Sequence, residues 1–235
     1  MKKLQIQPME EYSDNFFNIK PASEYIPDWY RLSDGKINDF PSVLNQNYPQ
    51  ATTSTYKKCT PFLDAMTSGY IVELSADIEI TRNAEGGLLV LWRVSREMVT
   101  KHSENQWNGI PIPTGYLRGV LKWHNQFTIK SPKEYSLLFT QPINRFDLPF
   151  QIITGLVDCD KYTLPVHFPF FIKEDFIGII PAGTPIVQII PVKRDFWERE
   201  YLKFDTKTSL VEIEKYLSII KRSYKNKFWQ RKSYK

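Results

Sequence analysis

A chain of 235 residues, 42% hydrophobic and 14% aromatic, carries enough apolar surface for a packed core, which excludes global disorder. Thirteen Tyr, fifteen Phe and six Trp favour strands, and sixteen Pro against ten Gly cut the chain into short segments, which excludes a bundle of long helices. The net charge of +5 is concentrated at one end: no acidic residue follows Glu214, whereas Lys215, Lys221, Arg222, Lys225, Lys227, Arg231, Lys232 and Lys235 add eight positive charges.

Setting those eight aside leaves 23 basic residues against 26 acidic ones, so the body is mildly acidic at −3. This argues against a nucleic-acid-binding face on the body. It leaves the tail as the segment able to meet an acidic partner, whether nucleic acid, membrane surface or protein. The start, MKKLQIQPMEEY, has two lysines with no apolar run behind them, so no secretory signal is expected. No stretch approaches the roughly 18 uninterrupted apolar residues of a membrane span. Two cysteines, Cys59 and Cys159, without CxxC spacing, suit a reducing compartment. The expectation is a soluble, cytoplasmic protein.

Residues 1–58 read as an extended arm. Prolines at 8, 21, 27, 41 and 49 and the polar run 50–55 give no sustained period, while Phe16, Phe17, Tyr25, Trp29 and Tyr30 are aromatic anchors that seek burial on this chain or a neighbour. Residues 60–69 predict a short helix, with Thr60 as N-cap, Pro61 at the first helical position and Gly69 in the left-handed C-terminal position. Strands are expected at 70–74, 78–81 and 88–94, with a turn over 82–87. Residues 95–114 read as a polar loop. Further strands are expected at 116–123, 127–130, 135–140, 151–157, 166–172, 176–180 and 184–192, with a turn-rich crossing at 142–150. Short strands between Pro, Gly and Asn turns indicate a sandwich or barrel. The last element is a helix: Ser209 and Glu212 have capping-box spacing, and Leu210, Ile213, Leu217, Ile220, Tyr224 and Phe228 form one apolar stripe that is expected to pack against a domain or partner. The domain expectation is therefore an arm at 1–58, a β domain at 59–197 and a basic helix at 198–235.

Two segments carry a resemblance. Gly155-Leu156-Val157-Asp158-Cys159-Asp160-Lys161-Tyr162 and Ile179-Ile180-Pro181-Ala182-Gly183-Thr184-Pro185-Ile186-Val187-Gln188-Ile189-Ile190 are similar in residue types, order and separation to motifs of the dUTPase and dCTP deaminase superfamily. Ser131-Pro132-Lys133-Glu134-Tyr135 is similar to that family's strand-opening Pro-x-Gly/Glu-Tyr. For residues 115–197 the resemblance implies a dUTPase-like distorted jelly roll, or β-clip, and threefold homo-oligomers. In catalytic members the aspartate activates water and the aromatic stacks on the deoxyribose. Carried over, Asp158 would be the catalytic residue, Tyr162 the sugar platform, Arg145 a phosphate contact and Gln188 a polar site-former, with Mg²⁺ as the accompanying ion.

The chain departs from that pattern where the chemistry lies. The Pro-Arg-Ser phosphate motif is replaced by Gln141-Pro142-Ile143-Asn144-Arg145-Phe146, Tyr162 follows Asp158 by four residues rather than three, and the Gly-rich lid gives way to the basic helix. The deaminase glutamate is missing from Val166-His167-Phe168-Pro169. The reading is accordingly a non-enzymatic structural or protein-interaction module without cofactor, with arm and helix as its contacts. The alternative is a deoxynucleotide-binding protein, or an enzyme of the pyrophosphohydrolase or deaminase type. A looser resemblance spans nearly the whole chain, through Pro27-Asp28-Trp29-Tyr30, residues 57–65, Asn144-Arg145-Phe146-Asp147-Leu148-Pro149-Phe150 and Pro191-Val192-Lys193-Arg194. It is to an uncharacterised family of tailed-phage and bacterial genomes, and implies a virus-related role in host cytoplasm or virion.

Other constellations are weaker. His102-Ser103-Glu104 with His167 has the residue types of an iron(II) facial triad, but surface histidines explain them as well, and no metal site is assigned. Asp158 and Asp160 around Cys159 suit ordinary turn chemistry better than a shared ion. Cys159 should point inward as a small hydrophobe. Lys193-Arg194 suits a strand-end salt bridge.

Overall fold

The computed structural model describes residues 2–9, 19–37, 53–203, 211 and 224–235. Two compact units emerge, one from residues 1–31, 65–194 and 234–235, the other from 32–64 and 195–233.

The first stretch gives β1 (Gln5–Pro8), β2 (Ile19–Pro21) and a single helical turn, α1 (Asp28–Arg31). β3 (Lys36–Ile37) and β4 (Thr53–Ser54) pair with each other inside the second unit. Helix α2 (Thr60–Thr67) leads to β5 (Tyr70–Glu73), β6 (Ile78–Arg82) and β7 (Leu88–Trp92). Then come β8 (Val99–Lys101), β9 (Leu121–Trp123), β10 (Phe127–Lys130) and β11 (Tyr135–Thr140). β12 (Phe150–Ile152), β13 (Gly155–Val157), β14 (Phe168–Ile172), β15 (Gly178–Ile180) and β16 (Pro185–Lys193) follow. The chain is mainly β, and its described strand pairings are antiparallel.

In the first unit the strands form a five-stranded sheet ordered β13-β11-β16-β5-β2, a four-stranded sheet β12-β14-β9-β8, a three-stranded sheet β15-β6-β7 and the pair β1-β10. Inward side chains from all of them share one core, including Leu137 and Ile189 of the first sheet, Trp123 and Phe170 of the second, and Ile80 of the third. Trp123 stacks on Phe170, with ring centres 4.2 Å apart and planes 6° off parallel. Phe139 and Phe168 meet at 5.6 Å across the space between the two larger sheets. Such rings supply most of the buried apolar area of a small β core. Among the described residues no helix is long and apolar enough to cross a membrane.

The expected strands at 127–130 and 135–140 have the bounds read from the sequence, because their alternation matches a half-buried pleat. Helix α2 also forms, but Cys59 rather than Thr60 caps it: the Leu63 N–H donates to the Cys59 carbonyl at 3.3 Å. Gly69 stands at φ 74, and a Cβ there would come within 1.9 Å of the Ile189 carbonyl oxygen. Only glycine satisfies both demands.

Elsewhere tertiary pairing overrides local pattern. The arm supplies β1 to β10 and β2 to β5, although neither segment alternates by itself. The polar loop contains β8, recruited by β9. The strand expected at 116–123 shortens to β9, since Gly115 and Gly119 hold φ of 80 and 136, leaving only a Tyr116–Lys173 bridge. The strand expected at 151–157 splits into β12 and β13, which join different sheets. Phe16, Phe17 and most of the expected C-terminal helix lie outside the described residues. Within that helix's span, Val211 is helical and Tyr224–Phe228 forms a π-type turn.

Two histidines sit at the margin of the core. The Asn125 N–H donates to His167 Nδ1 at 3.0 Å, His124 Nε2 lies 2.7 Å from the Thr100 hydroxyl, and the two rings are 4.7 Å apart. Burial, reinforced by His124 and Lys122, pushes His167 down to about 4, and burial lowers His124 as well. The unfolded chain therefore binds more protons than the fold between about pH 6.5 and 4. Stability is full above that window and falls as pH drops through it. His167→Asn, which keeps an acceptor for the Asn125 N–H, should flatten this part of the curve when urea midpoints are measured from pH 7.5 to 4.

Candidate functional site

The resemblance points to the turn after β13. The Asp158 carbonyl accepts N–H bonds from Lys161 and Tyr162, both at 2.9 Å, so residues 158–162 close as a tight turn, as an aspartate pair at a strand end suggests. The two carboxylates then converge on one arginine. Asp158 Oδ1 accepts the Ser136 hydroxyl at 2.6 Å and lies 3.2 Å from Arg194 Nη1. Asp160, whose side chain is 6% exposed, accepts Arg194 Nη1 at 2.9 Å on Oδ1 and Arg194 Nη2 on Oδ2.

Backbone completes this clasp. The Glu134 N–H donates to Asp160 Oδ2 at 3.1 Å, and the Arg194 N–H donates to the Glu134 carbonyl at 2.8 Å. Glu134 holds φ 70, a left-handed conformation that costs a non-glycine residue about 1 kcal/mol. The arginine fork thus ties the end of β16 to the start of β11 and to the turn after β13, a bidentate geometry that lysine could not reproduce.

The electrostatics follow. The Arg194 guanidinium outweighs burial and holds the Asp160 carboxyl at about 2, while Asp160 raises Arg194 in turn. The Ser136 hydroxyl, then Arg194, keep Asp158 below the usual carboxylate range. Both aspartates are anions at neutral pH, and a carboxylate so stabilised is a weak proton acceptor. Cys159 between them is buried, and that burial pushes its thiol up to about 11.

The other candidate residues lie apart from Asp158. Tyr162 is in the same turn with its ring 43% exposed. Arg145 forks onto Asp147, Nε at 2.9 Å and Nη2 at 2.7 Å, and Trp29 Nε1 donates to the same carboxylate at 3.3 Å. Burial raises Asp147, but the Arg145 guanidinium outweighs it and holds the carboxyl down. Gln188 is fully buried. Its carbonyl accepts the Ile143 N–H at 2.8 Å, and its amide nitrogen donates to the Ala65 and Ser68 carbonyls at 2.9 and 2.6 Å. Gln188 pairs with Thr140 at the end of β11, whereas Asp158 touches Ser136 near its start. Four residues of strand separate those positions by ~13 Å.

The histidines are likewise divided. His102 follows β8 and bonds Val120, while His124 follows β9 and meets His167 at the opposite end of that strand pair. Among the described residues no group of three or more His, Cys, Asp or Glu is placed to hold a metal ion.

One surface went unread in the sequence. Ile179, Glu79 and Leu91 stand in register across β15, β6 and β7, with Thr81 and Leu89 paired two positions along. Ile177, Ile179, Leu89 and Leu91 are 63%, 60%, 38% and 46% exposed, so the outer face of this sheet groups aliphatic side chains around exposed Glu79. The signal was the unbroken run Leu88-Leu89-Val90-Leu91-Trp92, which marks a strand apolar on both faces. Exposed Arg93 continues the outward alternation beyond Leu91.

No family model, curated protein or solved structure matches this chain.

Replacing Gln188 by Leu removes its bonds to the Ile143 N–H and to the Ala65 and Ser68 carbonyls, all part-buried, and should cost on the order of 2 kcal/mol. Gln188→Glu should be no better, because a carboxylate would then face two carbonyl oxygens. Urea denaturation of both variants checks this; a loss below about 1 kcal/mol would assign Gln188 a lesser structural part.

Proposed function

We propose that this chain is a non-enzymatic structural or protein-interaction module whose β core associates with further copies of itself. The observation that carries the reading is the aliphatic group on the outer face of β15, β6 and β7. Exposed aliphatic side chains grouped on one sheet face, here around Glu79, mark a contact site. The occupant is a second copy, because the same face carries exposed Glu79 and Arg93, neither ion-paired within the described chain. Glu79 of one copy can meet Arg93 of the next while the four aliphatic side chains are covered. The second unit adds Phe196, Trp197, Tyr201 and Leu202, each more than 80% exposed, as further contact groups.

The engagement of the candidate site residues supports the same reading. Asp160, Arg145 and Gln188 are committed to internal partners, and the fold spends their charges and amides on its own geometry. A role in a virus-related assembly, in virion or host cytoplasm, fits such a module, and the resemblance implies a threefold order. Light scattering from micromolar to high micromolar concentration should give an oligomer. Leu91→Lys with Ile179→Lys should give a folded monomer, with a cooperative melt that no longer depends on protein concentration as the wild type's does. A wild-type monomer throughout would remove the reading.

One observation favours a second reading, deoxynucleotide binding: Asp158 and Tyr162 remain 55% and 43% exposed in one turn. There Mg²⁺ would join phosphates to Asp158, and Tyr162 would support the sugar. Under the interaction reading no deoxynucleotide, with or without Mg²⁺, shifts the melting temperature. A ligand at 100 times its dissociation constant adds about 2.7 kcal/mol, so a shift abolished by Asp158→Asn would replace the first reading with the second.

A further inference from the structure

The loop joining β8 to β9 lies over a cavity of about 540 Å³, whose wall includes His102, Trp107, Ile110, Ile112, Arg118 and Phe171. Local chemistry sets its shape. The His102 N–H donates to the Val120 carbonyl at 2.9 Å, extending the β8–β9 ladder by one step. The Ser103 N–H and His102 Nδ1 both lie on Gln106 Oε1, at 3.2 and 3.0 Å, the first as part of a capping box. A carbonyl oxygen only accepts, so Nδ1 donates in this bond. The Trp107 ring packs edge-on against His102, 5.2 Å away at 80°. Gly109 at φ 83 and the Ile110 N–H bond to the Trp107 carbonyl then turn the loop, so that its isoleucines join the wall.

Several polar groups in or beside this wall are unengaged among the described residues. His102 Nε2 and Trp107 Nε1 are buried with no hydrogen-bond partner among the described residues. Arg118 makes no ion pair among the described residues. Lys101, equally unpaired, passes Gly119 with its Cε 3.6 Å from where a Cβ would stand. No described carboxylate lines the cavity. A concave site with apolar walls, a few convergent polar groups and unspent positive charge has the composition of a small-molecule site, and orphaned buried polar atoms call for an explanation.

We propose that this cavity binds a small organic anion with an apolar body. The anionic head sits on the Arg118 guanidinium with the Lys101 ammonium close by. The body lies against Ile110, Ile112 and Phe171. The two orphaned nitrogens lie just beneath the wall and reach the ligand by rotation of their rings, a side-chain adjustment common on binding. Carboxylate and phosphate heads share this recognition, and the test separates them.

The full chain is titrated by calorimetry with phenylacetate, phenyl phosphate and, as the uncharged control, 2-phenylethanol. At least one anion should bind with a Kd below ~1 mM, and 2-phenylethanol at least about tenfold more weakly; the tighter anion identifies the head group. Arg118→Gln should weaken that anion about tenfold while leaving the unliganded melting temperature unchanged, because Arg118 makes no ion pair among the described residues. Trp107→Phe, which keeps a ring and removes the N–H, should weaken it as well. Failure of both anions to bind at ~10 mM, binding of 2-phenylethanol as tight as theirs, or undiminished binding by Arg118→Gln would overturn the proposal. None of these outcomes touches the self-association reading, which concerns a different sheet.

Discussion

The buried amide of Gln188 joins what the strand ladders alone leave separate. It lies inside β16, the middle strand of the largest sheet, and bonds in one direction to the turn that follows β11 and in the other to the end of α2. In a low-dielectric interior each of these bonds is strong and each orphaned partner costly, so the amide fixes one arrangement of three segments far apart in sequence. Gly69 completes the junction, since the helix can end against the Ile189 carbonyl only where no Cβ intervenes. The seating of α2 and of the turn after β11 on the largest sheet draws on this contact.

The charged groups around β11 follow the same logic. Arg194 gathers Asp158, Asp160 and the Glu134 backbone, and Arg145 takes Asp147. Bidentate pairs of this kind give geometric definition more than reactivity. The cavity under the β8–β9 loop differs: Arg118, His102 Nε2 and Trp107 Nε1 are without an ion pair or hydrogen bond among the described residues. Polar groups at the turn after β13 hold the fold, and those at the β8–β9 loop are the ones proposed above to meet a ligand.

Much of the fold was legible where local pattern and burial agree. Tyr135–Thr140 and Phe127–Lys130 alternate as half-buried strands do, and the Pro61-to-Gly69 punctuation marks α2. The arm strands were illegible because Gln5–Pro8 and Ile19–Pro21 owe their conformation to β10 and β5, more than fifty residues downstream in the nearer case. At the site, the turn chemistry of Asp158 and Asp160 could be read, but their shared partner Arg194 lies 34 residues beyond Asp160. Gln188 shows the limit best. A glutamine within an apolar strand suggests a ligand contact by family likeness, and nothing in the sequence reports that its amide faces backbone carbonyls instead.

The order of strands in the largest sheet bears on how the chain is made. β16, the strand that joins β5 to β11, is the last of the five in sequence. A ribosome delivering the chain from its N-terminus would expose one edge of β5 and of β11 for more than forty residues of synthesis before their common neighbour begins to emerge. Over that interval their edges are unpaired templates for misassociation. Strands β6 and β7, neighbours in sequence, can meet early, whereas the main sheet must wait. Nascent-chain behaviour, including any reliance on chaperones, should therefore change abruptly once residue 193 has cleared the exit tunnel.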